Sequence, residues 1–256
     1  MITIFDWFGY ELPYQERYQL IKTVGFDGVL LYWSDEFGNV DYKHNAELAR
    51  HEGLFVENIH TSFDNINDFW LDNLNGNEIT DYLLQCVDDC NEYEIPTMIV
   101  HITSGENPPK ANMLGINRIR RITERAEQQG VNVALENLRN IENLKNVFDH
   151  INSSRLGFCF DSGHQNYRSK TTDLLSIYGD RLMALHLHDN DESIDQHRMP
   201  FDGNINWDVV MKKLTDINYK GPTALEIMNM GYEHIKEPRE FLAIAFERAK
   251  RLENLR

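Results

Sequence analysis

Cysteine, long apolar runs and positive charge are all scarce in this 256-residue chain, and each shortage excludes something. The three cysteines, Cys86, Cys90 and Cys159, are odd in number and lack zinc-ribbon spacing. Cys86 and Cys90 stand one helical turn apart, which suits reduced core thiols in a cytoplasmic protein and speaks against a disulfide framework. No apolar run reaches about 18 residues, so no membrane-spanning helix is expected and no membrane partner. The opening "MITIFDWFGYELP" lacks a basic stretch, a following apolar run and a small-residue cleavage site; it is expected to be a first strand and not a signal peptide. Lysine and arginine number 25 against 41 aspartates and glutamates, a net charge of -16. Such a surface repels phosphate polymers, so a nucleic-acid partner is disfavoured. Carboxylates gathered to hold a cation would deepen the same imbalance.

Low-complexity segments and Pro/Gly-rich linkers are also missing, so the expectation is a single domain over residues 1–256. What the chain does have is a recurring unit: a helical pattern, often a glycine, then a short apolar run ending in polar residues. "LPYQERYQLIKTVG" leads to "FDGVLLYW", "HNAELARHEG" to "LFVENIH", and "NEITDYLLQCVDDCNEYE" to "IPTMIVH". "RIRRITERAEQQG" leads to "VNVALEN", "LKNVFDHINSSR" to "LGFCFDSGH", "TDLLSIYGD" to "RLMALHLHD", and "WDVVMKKLTDINYKG" to "PTALEIMN". With the opening "ITIF" and a last helix "PREFLAIAFERAKRL", the pattern holds eight apolar runs separated by helices. Apolar residues at three- and four-residue intervals, such as Leu20, Ile21 and Val24, mark the helices, and Gly25 is placed to end the first. Short, nearly continuous apolar runs suit parallel strands buried on both faces. The expected fold is an α/β protein of the (β/α)8 TIM-barrel type. A doubly wound open sheet is the alternative, but no glycine fingerprint follows the first strand.

Barrels of this kind work at the C-terminal ends of their strands. There the sequence places His60 after the third run, His101 after the fourth, Glu136 in "ALEN", Asp161 and His164 in "FDSGH", His188, Asp195 and His197 in and after the seventh, and Glu226 in "ALEI". A lone strand-end histidine is usually a hydrogen-bonded structural residue, and a lone glutamate can cap a helix. Nine such groups with no lysine or arginine among them would suffer like-charge repulsion and desolvation, a cost that divalent cations remove. In "HLHDNDESIDQH", His186 and His188 share a face because residues two apart on a strand do. His188 lies nearer the strand's end and is the expected ligand. His186 is expected one layer deeper, where substitution should matter less, and Asp189 is a candidate to orient a ligating imidazole.

The motifs "ALEN", "FDSGH", "HLHDND…DQH…DGNINW" and "ALEI", in this order, resemble the xylose isomerase-like TIM-barrel superfamily, which includes sugar (phosphate) isomerases and epimerases and the endonuclease IV family. Similarity to the 3-ketose epimerases implies one divalent metal held by Glu136, Asp161, His188 and Glu226. It also implies that Glu136 and Glu226 act as acid and base and that His164 and Arg198 contact substrate. Similarity to endonuclease IV implies two further metal positions, one on His60, His101 and a bridging Glu136, the other on His164, Asp195 and His197. Long basic loops for a bent duplex are missing, and "YWSDEFGNVDY" after the second strand is acidic and aromatic.

Proton abstraction beside a sugar carbonyl needs a base, an acid on the other face and an electrophile for the developing enediolate. The set above provides for all three. The expected function is a metal-dependent isomerase or epimerase of a sugar or sugar phosphate, proceeding through a metal-stabilised enediolate, with one to three ions of zinc, manganese, magnesium or cobalt per chain. His164, Arg198, His60, Trp7 and Trp33 are the expected substrate contacts, with Phe201 a further candidate for an apolar wall. The alternative is an endonuclease IV-like multinuclear zinc phosphodiesterase or apurinic-site endonuclease, which the same ligand set would also permit. Which sugar is used and the oligomeric state are not legible in the sequence.

Overall fold

A computed structural model describes residues 1–35 and 41–256. Eight strands run β1 (Ile2–Phe5), β2 (Gly28–Trp33), β3 (Phe55–Thr61), β4 (Thr97–Val100), β5 (Asn132–Glu136), β6 (Leu156–Asp161), β7 (Leu182–His186) and β8 (Thr223–Leu225). All pairings between them are parallel, in the order β7-β6-β5-β4-β3-β2-β1-β8. A parallel bridge between Leu187 and Leu225 joins the two ends of that order. Across it the Leu187 N–H donates to the Ala224 carbonyl at 2.9 Å and the Glu226 N–H to Leu187 at 3.1 Å. The strands therefore form a nearly closed TIM barrel, as the alternation of apolar runs and helical patterns predicts.

Nine α-helices among the described residues cover the outside: α1 (Tyr14–Val24), α2 (Asn45–His51), α3 (Leu74–Glu92), α4 (Met113–Gln129), α5 (Ile141–His150), α6 (Ser162–Arg168), α7 (Leu174–Tyr178), α8 (Trp207–Asp216) and α9 (Pro238–Glu253). Their ends follow local chemistry. Asn73, Asn112, Asp173 and Asn206 each accept an N–H of the first turn of α3, α4, α7 and α8. Gly25 stops α1 with φ at 125°, a backbone shape that other residues rarely adopt. The helix α6 was not foreseen. It begins directly at the end of β6, where the Asp161 carboxylate accepts the His164 N–H at 2.6 Å. The same aspartate thus closes a strand and caps a helix, and this turn aims His164 back over the barrel.

Two apolar layers make the core. The larger lies between strands and helices and includes Trp33, Trp70, Phe26, Phe158 and Phe241. The smaller consists of Ile99, Ala134, Cys159 and Ala184, one residue from each of β4 to β7. Alternation puts residues two further along on the same side. Those are His101, Glu136, Asp161 and His186. The small apolar cluster is therefore the floor on which the polar groups stand.

No helix among the described residues is long and apolar enough to cross a membrane. Of the acidic aromatic loop "YWSDEFGNVDY", residues 36–40 lie outside the described residues.

Candidate active site and metal centre

Glu136, at the end of β5, is the hub. It is 1% exposed, yet four imidazoles surround its two oxygens. Its Oε2 lies 3.1 Å from His101 Nε2, 3.2 Å from His186 Nδ1 and 3.5 Å from His60 Nε2, and its Oε1 lies 2.9 Å from His164 Nδ1. His186 reaches Glu226 as well, at 3.4 Å from Oε2. Below the mouth, His188 Nε2 is 3.1 Å from the Asp161 carboxylate, and its ring stacks on His197 at 3.9 Å between centroids. Asp195 joins the two halves, 3.1 Å from His164 Nε2 and 3.3 Å from His197 Nε2.

The orientation of two imidazoles shows what such a cluster is built to hold. His60 directs Nδ1 at the Thr61 carbonyl at 2.9 Å, and His197 directs Nδ1 at the Glu226 carbonyl at 3.0 Å. Carbonyls only accept, so each Nδ1 carries the hydrogen and each neutral ring presents a bare Nε2 lone pair. Those lone pairs face carboxylates, Glu136 and Asp195 respectively. Two acceptors facing each other require a cation between them, either a proton or a metal ion. Six of thirteen buried side-chain polar atoms without a hydrogen bond, among the described residues, belong to this cluster: Glu136 Oε1, His164 Nδ1, both nitrogens of His186, His188 Nδ1 and Asp195 Oδ1. Donor atoms of Glu136, Asp161, His186 and Glu226 lie within 4.8 Å of one another, as do those of His60, His101 and Glu136, and those of His188, His197 and Glu226. Imidazole and carboxylate are the donor types of zinc and manganese sites. The residues fit a divalent ion.

The same arrangement sets the charges. Burial pushes the Glu136 carboxyl up, but the charge of His186 and the hydrogen bond with His101 outweigh it and hold the group well below the usual range, so it stays ionised. At His101 burial prevails and lowers the imidazole, which keeps it neutral. At His197 burial also opposes the charge, but Asp195 overrides it and pushes the imidazole up to about 9. A proton on Nε2 thereby satisfies the two facing acceptors of His197 and Asp195.

The structure brings Glu136, Asp161, His164, His60, His101, Asp195, His197 and Glu226 together. His186 stands beside the two glutamates, the place expected for His188. β6 and β7 pair with Asp161 opposite His186, so His186 stands level with Asp161 and within reach of both glutamates. His188 lies beyond the strand and turns toward Asp161 and His197 instead. Asp189 orients no imidazole: its carboxylate accepts from the Trp207 indole at 2.8 Å and from the Phe201 and Ile205 amides, fixing the loop that carries His197.

Above the cluster opens a cavity of about 390 Å³, in the range of small-molecule sites, roughly 300–1,000 Å³. Trp7 lines it, with Phe5, Tyr32, Phe63 and Met228. Three expected contacts lie elsewhere. Trp33 is fully buried outside the barrel, where its indole donates to Asp89 at 2.9 Å. Arg198 pairs with Asp191 at 3.3 Å on the far side of its loop, and Phe201 packs against Arg251 and Trp207. The cations of the cavity wall are Arg139 and Arg168, which sequence reasoning missed. Arg139 sits just past β5 in "ENLR" and Arg168 ends α6 in "HQNYR", and their place after a strand's C-terminal end was the available signal.

Residues 18–248 match the family described as xylose isomerase-like TIM barrel. An uncharacterized protein of Sinorhizobium fredii, y4fM, is 38% identical over 106 residues, covering 39% of this chain and 34% of that protein. The uncharacterized protein MJ1311 of Methanocaldococcus jannaschii is 27% identical over 192 residues, covering 67% of this chain and 64% of that protein. The chain thus spans between about a third and two thirds of the length of these curated relatives. Among solved structures, D-psicose 3-epimerase from Clostridium cellulolyticum H10, solved with D-tagatose, superposes with a TM-score of 0.79 at 13% identity, over 98% of this chain and 99% of that one. At that identity the superposition speaks for the fold, and the match over nine tenths of the length speaks for the family: this chain belongs to the xylose isomerase-like TIM barrels.

Proposed function

We propose that the protein is a divalent-metal-dependent isomerase or epimerase of a small sugar. The observation that carries this reading is the lone-pair geometry at Glu136: a buried, ionised carboxylate faced by the bare Nε2 of His60 at the floor of a cavity the size of a monosaccharide derivative. A bound divalent ion there supplies electrophilic stabilisation for negative charge developing on adjacent substrate oxygens. The rest falls to the chain's own groups. Glu136 and Glu226 approach the floor from β5 and just past β8 and serve as base and acid. One takes the proton from the carbon beside the carbonyl, and the other delivers a proton to the opposite face or to the neighbouring carbon. His164 and His60 hold substrate hydroxyls, while Trp7, Phe5, Phe63 and Met228 exclude water from the apolar face of the sugar. The superposition on a D-psicose 3-epimerase supports the same reaction class.

The phosphodiesterase reading has less to support it. A duplex calls for an extended basic surface, whereas this cavity holds two arginines and the chain carries a net charge of -16.

The test is solvent-proton exchange. Incubated with manganese and a panel of ketoses and ketose phosphates in deuterated water, the protein should introduce carbon-bound deuterium next to the carbonyl. Glu136→Gln and Glu226→Gln should each reduce that rate by about 100-fold or more. Sugars that stay free of deuterium, together with efficient cleavage of abasic-site DNA, would overturn the proposal.

A further inference from the structure

The cavity has one cationic wall. Arg139, just past β5, and Arg168, at the end of α6, are its lysine-or-arginine lining residues. Their side chains are 28% and 20% exposed, yet they converge on a single carboxylate, Glu106, which is 63% exposed. Arg139 Nη1 pairs with Glu106 Oε2 and also donates to the Glu106 carbonyl at 2.9 Å. Arg168 Nη2 donates to Oε1 at 2.9 Å, and its guanidinium lies over the Tyr167 ring at 3.7 Å, which fixes its plane. Two half-buried guanidiniums therefore share one solvent-facing carboxylate as their hydrogen-bonded partner, while the charge of Asp195 acts on Arg168 from farther away. Open space adjoins the pair: nothing stands within 4 Å of where a Cβ at Gly105, the neighbouring wall residue, would lie.

We propose that Arg139 and Arg168 form an anion subsite, and that the substrate is an acidic sugar carrying a phosphate ester or a carboxylate at the end remote from the reacting carbons. This deepens the sugar reading and rests on it. The planar donor fork of arginine matches either anion and binds it through paired charge-assisted hydrogen bonds. The floor is acidic, with Glu136 and Glu226, so an anionic tail is favoured at the arginines and disfavoured at the floor. Polarity thereby sets the direction in which the sugar lies. Glu106 occupies the subsite as an internal anion, and substrate must compete with it.

The experiment is calorimetric titration of the full-length, manganese-loaded protein with D-ribulose, D-ribulose 5-phosphate and a keturonate, together with inorganic phosphate on the chelated protein. At least one acidic sugar should bind about 10-fold or more tightly than its neutral counterpart, and Arg139→Gln or Arg168→Gln should remove about 10-fold of that advantage. The ratio of acidic to neutral affinity is the readout, because a merely structural arginine would weaken both sugars alike. Glu106→Gln should move the other way and tighten acidic sugars severalfold; it carries the test should an arginine variant fail to fold. The ketose-phosphate and keturonate arms separate the two anions by which advantage the arginines control. Neutral sugars that bind as well as acidic ones, with a ratio that no substitution alters, would overturn the subsite and leave the sugar reading standing. Arginine-dependent binding of phosphate without deuterium exchange into any sugar would do the reverse.

Discussion

A methyl group added at Gly163 probes the packing of the site without replacing any of its polar groups. Gly163 is the second residue of α6, and its backbone lies flat against the His188 imidazole. A Cβ there would stand 1.9 Å from His188 Cε1 and 2.4 Å from Nδ1. Restoring ordinary contact at 3.4 Å requires a retreat of 3.4 − 1.9 = 1.5 Å. The ring has nowhere to go. On its other side it stacks on His197 at 3.9 Å and 12°, and its Nε2 is tied to Asp161 at 3.1 Å. Backbone movement is resisted because Asp161 caps α6 through the His164 N–H. Overpacking of this severity costs about 3 kcal/mol, and replacing a helical glycine returns about 1 kcal/mol, so Gly163→Ala should lose about 2 kcal/mol of stability. Displaced rings also move His197 off Asp195, and manganese affinity should fall by about 10- to 100-fold. Urea unfolding of the chelated protein reads the first quantity and manganese titration the second. A Gly163→Ala protein as stable as the parent, with unchanged affinity, would refute the described packing.

Other substitutions test other parts. His186→Gln should weaken manganese binding at least as much as His188→Gln, since His186 reaches both glutamates; the opposite order in parallel titrations would restore His188 as the ligand. Burial pushes the Glu57 carboxyl up from 4.5 to about 7, so the folded state holds its proton longer than the unfolded chain does. Its contribution is full below pH 4.5 and declines up to about pH 7; the shift of 7 − 4.5 = 2.5 corresponds to about 3 kcal/mol. Glu57→Gln should flatten that decline, as read by unfolding at a series of pH values; parallel profiles for both proteins would contradict it. Trp33→Phe removes one of three hydrogen-bond donors from buried Asp89, leaving Lys43 and Gln85. It should cost about 1–3 kcal/mol of stability without changing KM, and a raised KM with normal stability would return Trp33 to the cavity wall.

The fold was legible because period and punctuation suffice for a barrel: each apolar run became a strand, and Gly25 ended its helix. The helix α6 escaped notice because "FDSGH" is short and polar; the aspartate that caps it was read only as a ligand. For the site, strand ends named the converging carboxylates and most of the imidazoles. Depth was another matter. A two-residue period assigns His186 and His188 to one face but says nothing of height, which the pairing of Asp161 with His186 decides. Direction was equally hidden: Trp33 sits at a strand end yet points outward to Asp89, and Arg198 turns back to Asp191. Arg139 lies in a loop and Arg168 ends a short polar helix, so neither belongs to an apolar period, and only the folded chain brings both to Glu106.

The central claim is that side chains from β3 to the residue past β8 converge to bind a divalent cation. Anomalous diffraction at the manganese edge, from crystals grown with manganese, tests it most directly. A peak is expected in contact with Glu136, Asp161, His186 and Glu226, and it should disappear in crystals of Glu136→Gln. A manganese-saturated crystal with no peak among these four residues, or with its peak elsewhere on the surface, would contradict it.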